Sequence, residues 1–164
     1  MPLLLLVAVL GFEIGAANVT NRRVTDADLR EVLKQTLKAE IDGQKVNYDD
    51  EEITDFELLL RARGGIVLSS ANVKRTLVRP FSNTQLVVLT PREIQAKANR
   101  EGDFLYLKFT QIRIAKSRVL VTLSKQWARS HTSTIMYTSG GSSTFEFRKI
   151  RGKWTRRFVK GRVV

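Results

Sequence analysis

The chain has 164 residues, of which 43% are hydrophobic; this suffices for one domain with a real core and is too little for two. It contains no cysteine, which excludes disulfides, thiolate nucleophiles and sulfur-ligated metals. The net charge of +12 is unevenly spread: residues 1–103 carry 14 basic and 15 acidic side chains, whereas residues 104–164 carry 14 basic side chains and one acid, Glu146. This asymmetry indicates either a polyanionic partner or a basic sheet face turned toward the chain's own acidic segment, residues 49–57.

The N-terminus resembles an export signal. Residues 2–11 (PLLLLVAVLG) form an apolar run of signal-peptide length that is too short to span a bilayer. Gly15 and Ala17 place small residues at the −3 and −1 positions of a cleavage after Ala17. We therefore predict a signal peptide over residues 1–17 and a single domain over residues 18–164, secreted or periplasmic. The alternative is a buried first strand or helix of a cytoplasmic protein, because no basic residue precedes the run and Glu13 lies near its end.

Two amphipathic segments follow before the first strand. Thr25 is a candidate N-cap with Asp28 at the N3 position, and apolar residues then recur at helical spacing, which predicts a helix over residues 26–42. Its apolar residues are Leu29, Val32, Leu33, Leu37 and Ile41. Residues 53–60 indicate a second, shorter helix, with a strand as the alternative.

The middle of the chain reads as two short strands and a capped helix. Residues 66–69 and 85–89 are apolar and β-branched, and a loop with Pro80 separates them. In the sequence TPRE, Thr90 can cap a helix, Pro91 suits its first position and Glu93 completes a capping box. This predicts a helix from Pro91 to about Glu101, lying on the surface of the sheet.

From Phe104 onward, apolar and polar residues alternate in runs separated by short turns. The pattern predicts four or five antiparallel strands, and the candidate runs are residues 104–114, 118–127, 132–139, 143–150 and 153–164. Helices first and a meander last indicate an α+β fold: N-terminal helices packed on one face of a curved, mostly antiparallel sheet that ends in a C-terminal meander.

The last hairpin has one favoured register. Pairing Lys149 with Trp154 across the Arg151–Gly152 turn puts all the aromatic residues of this hairpin on one face, and a shift by one residue would split them between the faces. These aromatic residues are Phe145, Phe147, Trp154 and Phe158, and we expect them to belong mainly to the core. The other face then pairs Glu146 with Arg157, so its cations are expected to be exposed.

Residues 137–161 (YTSGGSSTFEFRKIRGKWTRRFVKG) resemble the closing strands of the cone-shaped α+β superfamily of nuclear transport factor 2, ketosteroid isomerase and SnoaL-type proteins. Members often end in a strand, a glycine-containing turn followed by Lys-Trp, and a last strand. The resemblance implies a curved sheet around a pocket. Catalytic members place Asp, Tyr or His in that pocket, whereas many others bind or scaffold without catalysis.

Little in the sequence points to catalysis. His131 is the only histidine and lies at a turn, where a solvated polar role is the more common one. Residues 49–52 (DDEE) lack the glycine and the spacing of a calcium loop, and the glycine-rich residues 139–143 precede no helix that would cradle a phosphate. We predict no cofactor, no metal and no catalytic residue.

Three functions remain open from the sequence. The preferred one is a secreted or envelope binding or scaffold domain without enzymatic activity, whose partner is a protein or an anionic surface. The second is low-specificity nucleic-acid or polyanion binding through the basic sheet, with Lys116, Arg118, Arg148, Arg157 and Arg162 as contacts. The third is a small-molecule pocket protein or enzyme, with Tyr106, Tyr137 and His131 lining the pocket. The oligomeric state is not determined by the sequence.

Overall fold

The computed structural model describes residues 23–42, 64–78, 85–137 and 140–162. The predicted signal peptide, the predicted second helix at residues 53–60 and the acidic segment at residues 49–57 lie outside the described residues. The elements in chain order are helix α1 (Asp26–Asp42), strand β1 (Ile66–Ser69), a 3₁₀ helix (Arg75–Leu77), strand β2 (Leu86–Leu89), helix α2 (Pro91–Glu101), and strands β3 (Phe104–Ala115), β4 (Arg118–Ala128), β5 (Ser142–Ile150) and β6 (Lys153–Arg162).

The predicted α+β fold is confirmed. Six strands form one sheet in the order β2-β1-β3-β4-β5-β6. Strand β1 runs parallel to both β2 and β3, and all the later pairs are antiparallel. The C-terminal meander contains four strands, because residues 132–137, the described part of the candidate run 132–139, are not in a strand.

The two helices lie on opposite faces of the sheet, so the expectation that they share one face is wrong. Helix α1 packs on the face that carries Leu107 and Phe109, whereas α2 packs on the alternate residues of the same sheet, including Val67 and Phe104. A connection between parallel strands must cross a face of the sheet. Since α1 and the 3₁₀ helix occupy one face, the connection from β2 to β3 crosses the other face as α2.

The main core lies between α1 and the sheet. Fully buried side chains from β1, β3, β4 and β5 form this core, and along β4 they alternate with less buried residues on the opposite face. The largest of them are Phe109, Phe147, Leu33, Leu37, Ile66, Leu68, Leu105, Leu107 and Leu123. The α1 face is therefore committed to folding, which leaves the opposite face of the meander for contacts with other molecules.

An ion pair is buried in this core near the end of α1. The Glu40 carboxylate lies 3.3 Å from the Lys125 ammonium of β4, and their side chains are 2% and 5% exposed. On the preceding turn of α1, the buried Thr36 hydroxyl donates a hydrogen bond to the Val32 carbonyl oxygen. Glu40 and Lys125 thus join α1 to the middle of the sheet by a charged contact inside an apolar core.

The last hairpin has the register that was predicted. Lys149 pairs with Trp154, and Glu146 pairs with Arg157. Phe145 and Phe147 are buried as expected and Trp154 is partly buried. Phe158, however, is 57% exposed, so its assignment to the core is wrong. It lies on the edge strand β6 and contacts the Phe145 ring edge-to-face, with the ring centroids 5.7 Å apart.

The N-terminus of α1 is fastened to this hairpin by Asp28. Thr25 and Asp28 form the predicted capping box, with hydrogen bonds of 3.1 and 3.2 Å between each side chain and the other's backbone N–H. The Asp28 carboxylate also accepts hydrogen bonds from the Lys149 ammonium at 2.5 Å and the Trp154 indole N–H at 2.9 Å. Partial burial raises the pKa of Asp28, but the hydrogen bonds from Lys149, Trp154 and Thr25 together outweigh it and hold that pKa well below its usual value.

We expect Asp28→Asn to destabilise the fold at neutral pH and to have a smaller effect in acid. A carboxylate with a lowered folded-state pKa stabilises the fold fully above its unfolded pKa of about 3.8, and this contribution is lost as the pH falls through the folded value. The lost charge-assisted hydrogen bonds correspond to about 1–3 kcal/mol at pH 7. Urea unfolding of both proteins at pH 7 and pH 2.5 measures the gap. A gap that is equally large at both pH values would contradict the role of the ionised carboxylate.

Candidate anion-binding face

The meander has one face that α1 does not cover. On this side, α2 packs against β1 and β2 and against the start of β3 and the end of β4, through residues such as Val67, Phe104 and Ala128. We call the rest of this side, formed by β3 to β6, the open face. Within the described part of the chain, no element packs over it.

Rows of paired residues cross the open face from β3 to β6. The hydroxyl row consists of Gln111, Thr122, Thr144 and Lys160, in strand order from β3 to β6. The acid row, named after Glu146, consists of Arg113, Leu120, Glu146 and Arg157. The arginine row consists of Ala115, Arg118, Arg148 and Thr155. A fourth row, at the end of the face toward α2, consists of Lys108, Ser124, Ser142 and Arg162. In the hydroxyl row and the fourth row, small hydroxyl residues occupy the two central strands and most of the residues on the outer strands are cationic. In the arginine row, the cations Arg118 and Arg148 stand on the central strands themselves.

The structure brings the predicted anion-binding residues to this face or its rim. Arg118 and Arg148 are direct partners on neighbouring strands, and Arg157 lies one row away on β6. Lys116 lies in the β3–β4 turn, where its φ of 51° is left-handed. All four of these side chains are exposed. Arg162 ends β6 opposite Ser142, and its side chain lies outside the described ones.

Glu146 partly neutralises this cluster. Its carboxylate accepts hydrogen bonds from the Arg148 guanidinium at 3.1 and 3.2 Å, and the Arg118 guanidinium lies 3.9 Å away. Both arginine side chains remain at least half exposed, so the pairing is screened by solvent and weak. Glu146 holds the two guanidinium groups beside each other, and the face keeps a strong positive excess.

Sequence reasoning missed three further cations of the open face. Arg113 and Lys160 are exposed, and Lys108 is half-buried. Arg113 joins this face because β3 has a bulge between Phe109 and Gln111 that reverses the alternation of the later residues. A sequence signal existed: apolar residues recur every second position up to Phe109 and then resume three residues later at Ile112.

The structure does not bring the three predicted pocket residues together. The Tyr106 hydroxyl donates a hydrogen bond to Gln126 at 3.0 Å on the α2 side of the sheet, and burial raises the pKa of Tyr106. Tyr137 instead stacks on Trp127, which packs against the α1-side core, with ring centroids 4.0 Å apart. His131 is exposed in a turn, and its backbone N–H donates a hydrogen bond to the Asn99 side-chain oxygen. The two tyrosines therefore lie on opposite sides of the sheet.

Tyr137 has a structural partner in Asp103. Burial raises the pKa of Tyr137, and the hydrogen bond and negative charge of Asp103 raise it further. Asp103 also accepts hydrogen bonds from the Ser133 hydroxyl and the Ser130 backbone N–H, which lower the pKa of Asp103. The three contacts fasten the loop between β4 and β5 to the start of β3.

Other classes of site receive no support from the described ranges. Among those residues, no group of three or more His, Asp or Glu side chains is placed to hold a metal ion. None of the helices in the described ranges is long and apolar enough to cross a membrane.

In comparisons with known proteins, the chain matches no family model, no curated protein and no solved structure.

Proposed function

We propose that this protein is a non-enzymatic binding domain whose open face binds anionic polymers with little sequence specificity. The observation that supports this proposal is the arrangement of charge across the meander. Exposed cations flank the face on β3 and β6, and the acid of this face, Glu146, is already hydrogen-bonded to Arg148. An extended polyanion laid along the strands would meet cations on both sides.

The hydrophobic side chains of the hairpin argue against base-specific reading. Phe145 and Phe147 are buried under α1, and Phe158, although exposed, belongs to the α1 side of β6 and not to the open face. Proteins that hold single strands tightly present aromatic side chains on which bases stack. A cationic sheet face without such side chains binds through charge, so its affinity falls steeply with salt.

We propose that the protein acts by binding and not by catalysis. Tyr106 packs in the cluster on the α2 side of the sheet, whereas Tyr137 stacks on Trp127 of the α1-side core, so the two tyrosines do not converge on one small-molecule pocket. Export of the protein and a relation to the cone-shaped superfamily remain parts of the proposal that rest on sequence alone, on residues 1–17 and 137–161. In an exported protein, the partner would be an anionic polymer or surface outside the cytoplasm.

We expect removal of three cations from the open face to weaken polyanion binding. The variant is Arg113→Gln, Lys116→Gln and Arg157→Gln, and heparin and random single-stranded DNA serve as ligands at about 50 and 200 mM salt. Each phosphate contact contributes about 0.7 to the slope of log affinity against log salt for single strands, so the slope should fall by about 2. Affinity at the lower salt should fall at least about tenfold.

A control variant of equal charge separates a located site from general attraction. Lys34→Gln, Lys38→Gln and Arg92→Gln removes three exposed cations from α1 and the start of α2. We expect this variant to bind nearly as the unmodified protein does. If both variants weaken binding equally, the attraction belongs to the net charge and the open face is not the site.

A further inference from the structure

A groove lies in the middle of the open face. It encloses about 730 Å³ and is lined by residues of all four meander strands. The lining residues are Thr110, Gln111, Leu120, Thr122, Ser142, Thr144, Val159, Lys160 and Gly161. Its floor is the hydroxyl row, so the groove lies between the cations of the two outer strands.

Two bulges shape this groove. In β3 the pairing shifts between Phe109 and Gln111, which leaves Thr110 as the extra residue. In β6 the shift is opposite Thr144 and Phe145, which leaves Val159 as the extra residue. Both bulges adjoin the hydroxyl row, one on each side. Because bulges bend and twist their strands, both outer strands depart from regular pairing beside this row.

The groove combines hydroxyl groups, two apolar side chains and one cation. The Thr122 and Thr144 hydroxyls lie 3.0 Å apart, and the Thr110 and Ser124 hydroxyls lie 3.3 Å apart at the rim. A hydroxyl has one donor and two acceptor positions, so each pair retains capacity for a ligand. Thr122 is half-buried and Thr144 is 5% exposed, so Thr122 is the more accessible member of the central pair. Leu120 on the floor is half-buried and Val159 is 49% exposed, which offers apolar contact within the same groove.

We propose that this groove binds a sugar ring of an acidic polysaccharide, with the anionic substituent of that ring at Lys160. The inference rests on the proposed function and names its ligand class. The hydroxyl groups of the ring would form hydrogen bonds with the Thr122 and Thr144 hydroxyls. The C–H surface of the ring would pack on Leu120 and Val159, and a carboxylate or sulfate would pair with the exposed Lys160 ammonium. A nucleic-acid base would need an aromatic surface, and none lines the groove.

The test replaces both members of the central hydroxyl pair, in Thr122→Val with Thr144→Val. Substituting both partners of a hydrogen bond by apolar groups of the same shape is close to neutral for stability, so the variant should fold. The matched control is Thr134→Val with Thr155→Val, two exposed threonines outside the groove. The ligands are a heparin hexasaccharide and a single-stranded oligothymidylate of similar charge, compared at about 100 mM salt.

We expect the unmodified protein and the control to prefer the hexasaccharide. The groove variant should lose about tenfold in affinity for it, the effect of one or two neutral hydrogen bonds, and little for the oligothymidylate. Equal loss for both ligands, an unchanged preference in the groove variant, or a preference of the unmodified protein for the oligothymidylate would overturn the inference while leaving polyanion binding in place. If neither ligand binds, the proposed function fails, and the inference fails with it.

Discussion

Lys125→Ala is expected to destabilise the protein by about 3–5 kcal/mol, because it leaves the Glu40 carboxylate in the core without the cation 3.3 Å away. Breaking a buried ion pair is costly since the remaining charge is desolvated and loses its main attraction. A loss of this size is a large share of the stability of a small domain. Urea unfolding followed by circular dichroism at pH 7 measures the difference.

A double variant shows whether the loss of stability comes from the Glu40 charge that remains without Lys125 or from the lost volume of the Lys125 side chain. Lys125→Met with Glu40→Leu replaces the pair by apolar side chains of similar size, and such replacements are often neutral or stabilising. We therefore expect the double variant to be far more stable than Lys125→Ala. A double variant as unstable as the single one would show that the pair contributes specific contacts that hydrophobic packing does not replace.

Phe147→Ala should also cost about 3–5 kcal/mol. Phe147 is 0% exposed on β5 and belongs to the core between the sheet and α1, so the truncation leaves a cavity that its rigid neighbours fill only in part. The same unfolding experiment measures this loss.

Phe158→Ala is the matched control on the neighbouring strand. This residue is 57% exposed, and its main contact is the edge of the Phe145 ring, so we expect a loss of about 1 kcal/mol. Equal losses for the two variants would mean that the Phe158 side chain is packed as fully as that of Phe147, against its observed exposure.

The sequence carried enough information for the helices and for the hairpin register. Thr25 with Asp28 and Thr90 with Glu93 are capping boxes, and both form as predicted because their hydrogen bonds are local and depend on residues three apart. The hairpin register follows from the alternation of aromatic and cationic residues, since any slip of one residue would move the aromatic ones to the other face.

The placement of the helices could not be predicted from such local signals. Helix α2 has few apolar residues, and only the parallel pairing of β1 with β2 and β3 makes it cross the face opposite α1. Parallel pairing depends on contacts between distant segments, for which the sequence holds no local pattern. The expectation of one covered face failed for this reason.

The candidate site was predicted in part. Four of the five proposed anion-binding residues have side chains in the described ranges, and each is exposed on the open face or its rim, because strand alternation was sufficient to place them. The groove was missed, since it depends on two bulges that change which residues of β3 and β6 share a face. Only the three-residue gap between Phe109 and Ile112 marked one of these bulges in the sequence.

Mapping the contact by NMR tests whether anionic polymers bind to the open face. Backbone amide shifts are recorded while a heparin hexasaccharide is added at about 50 mM salt. We expect the largest shift changes in the open-face rows, at residues such as Thr122, Thr144 and Arg157. We expect little change at Lys34 and Lys38 on the exposed side of α1. Changes concentrated on α1, or spread evenly over all exposed cations, would contradict binding at the open face.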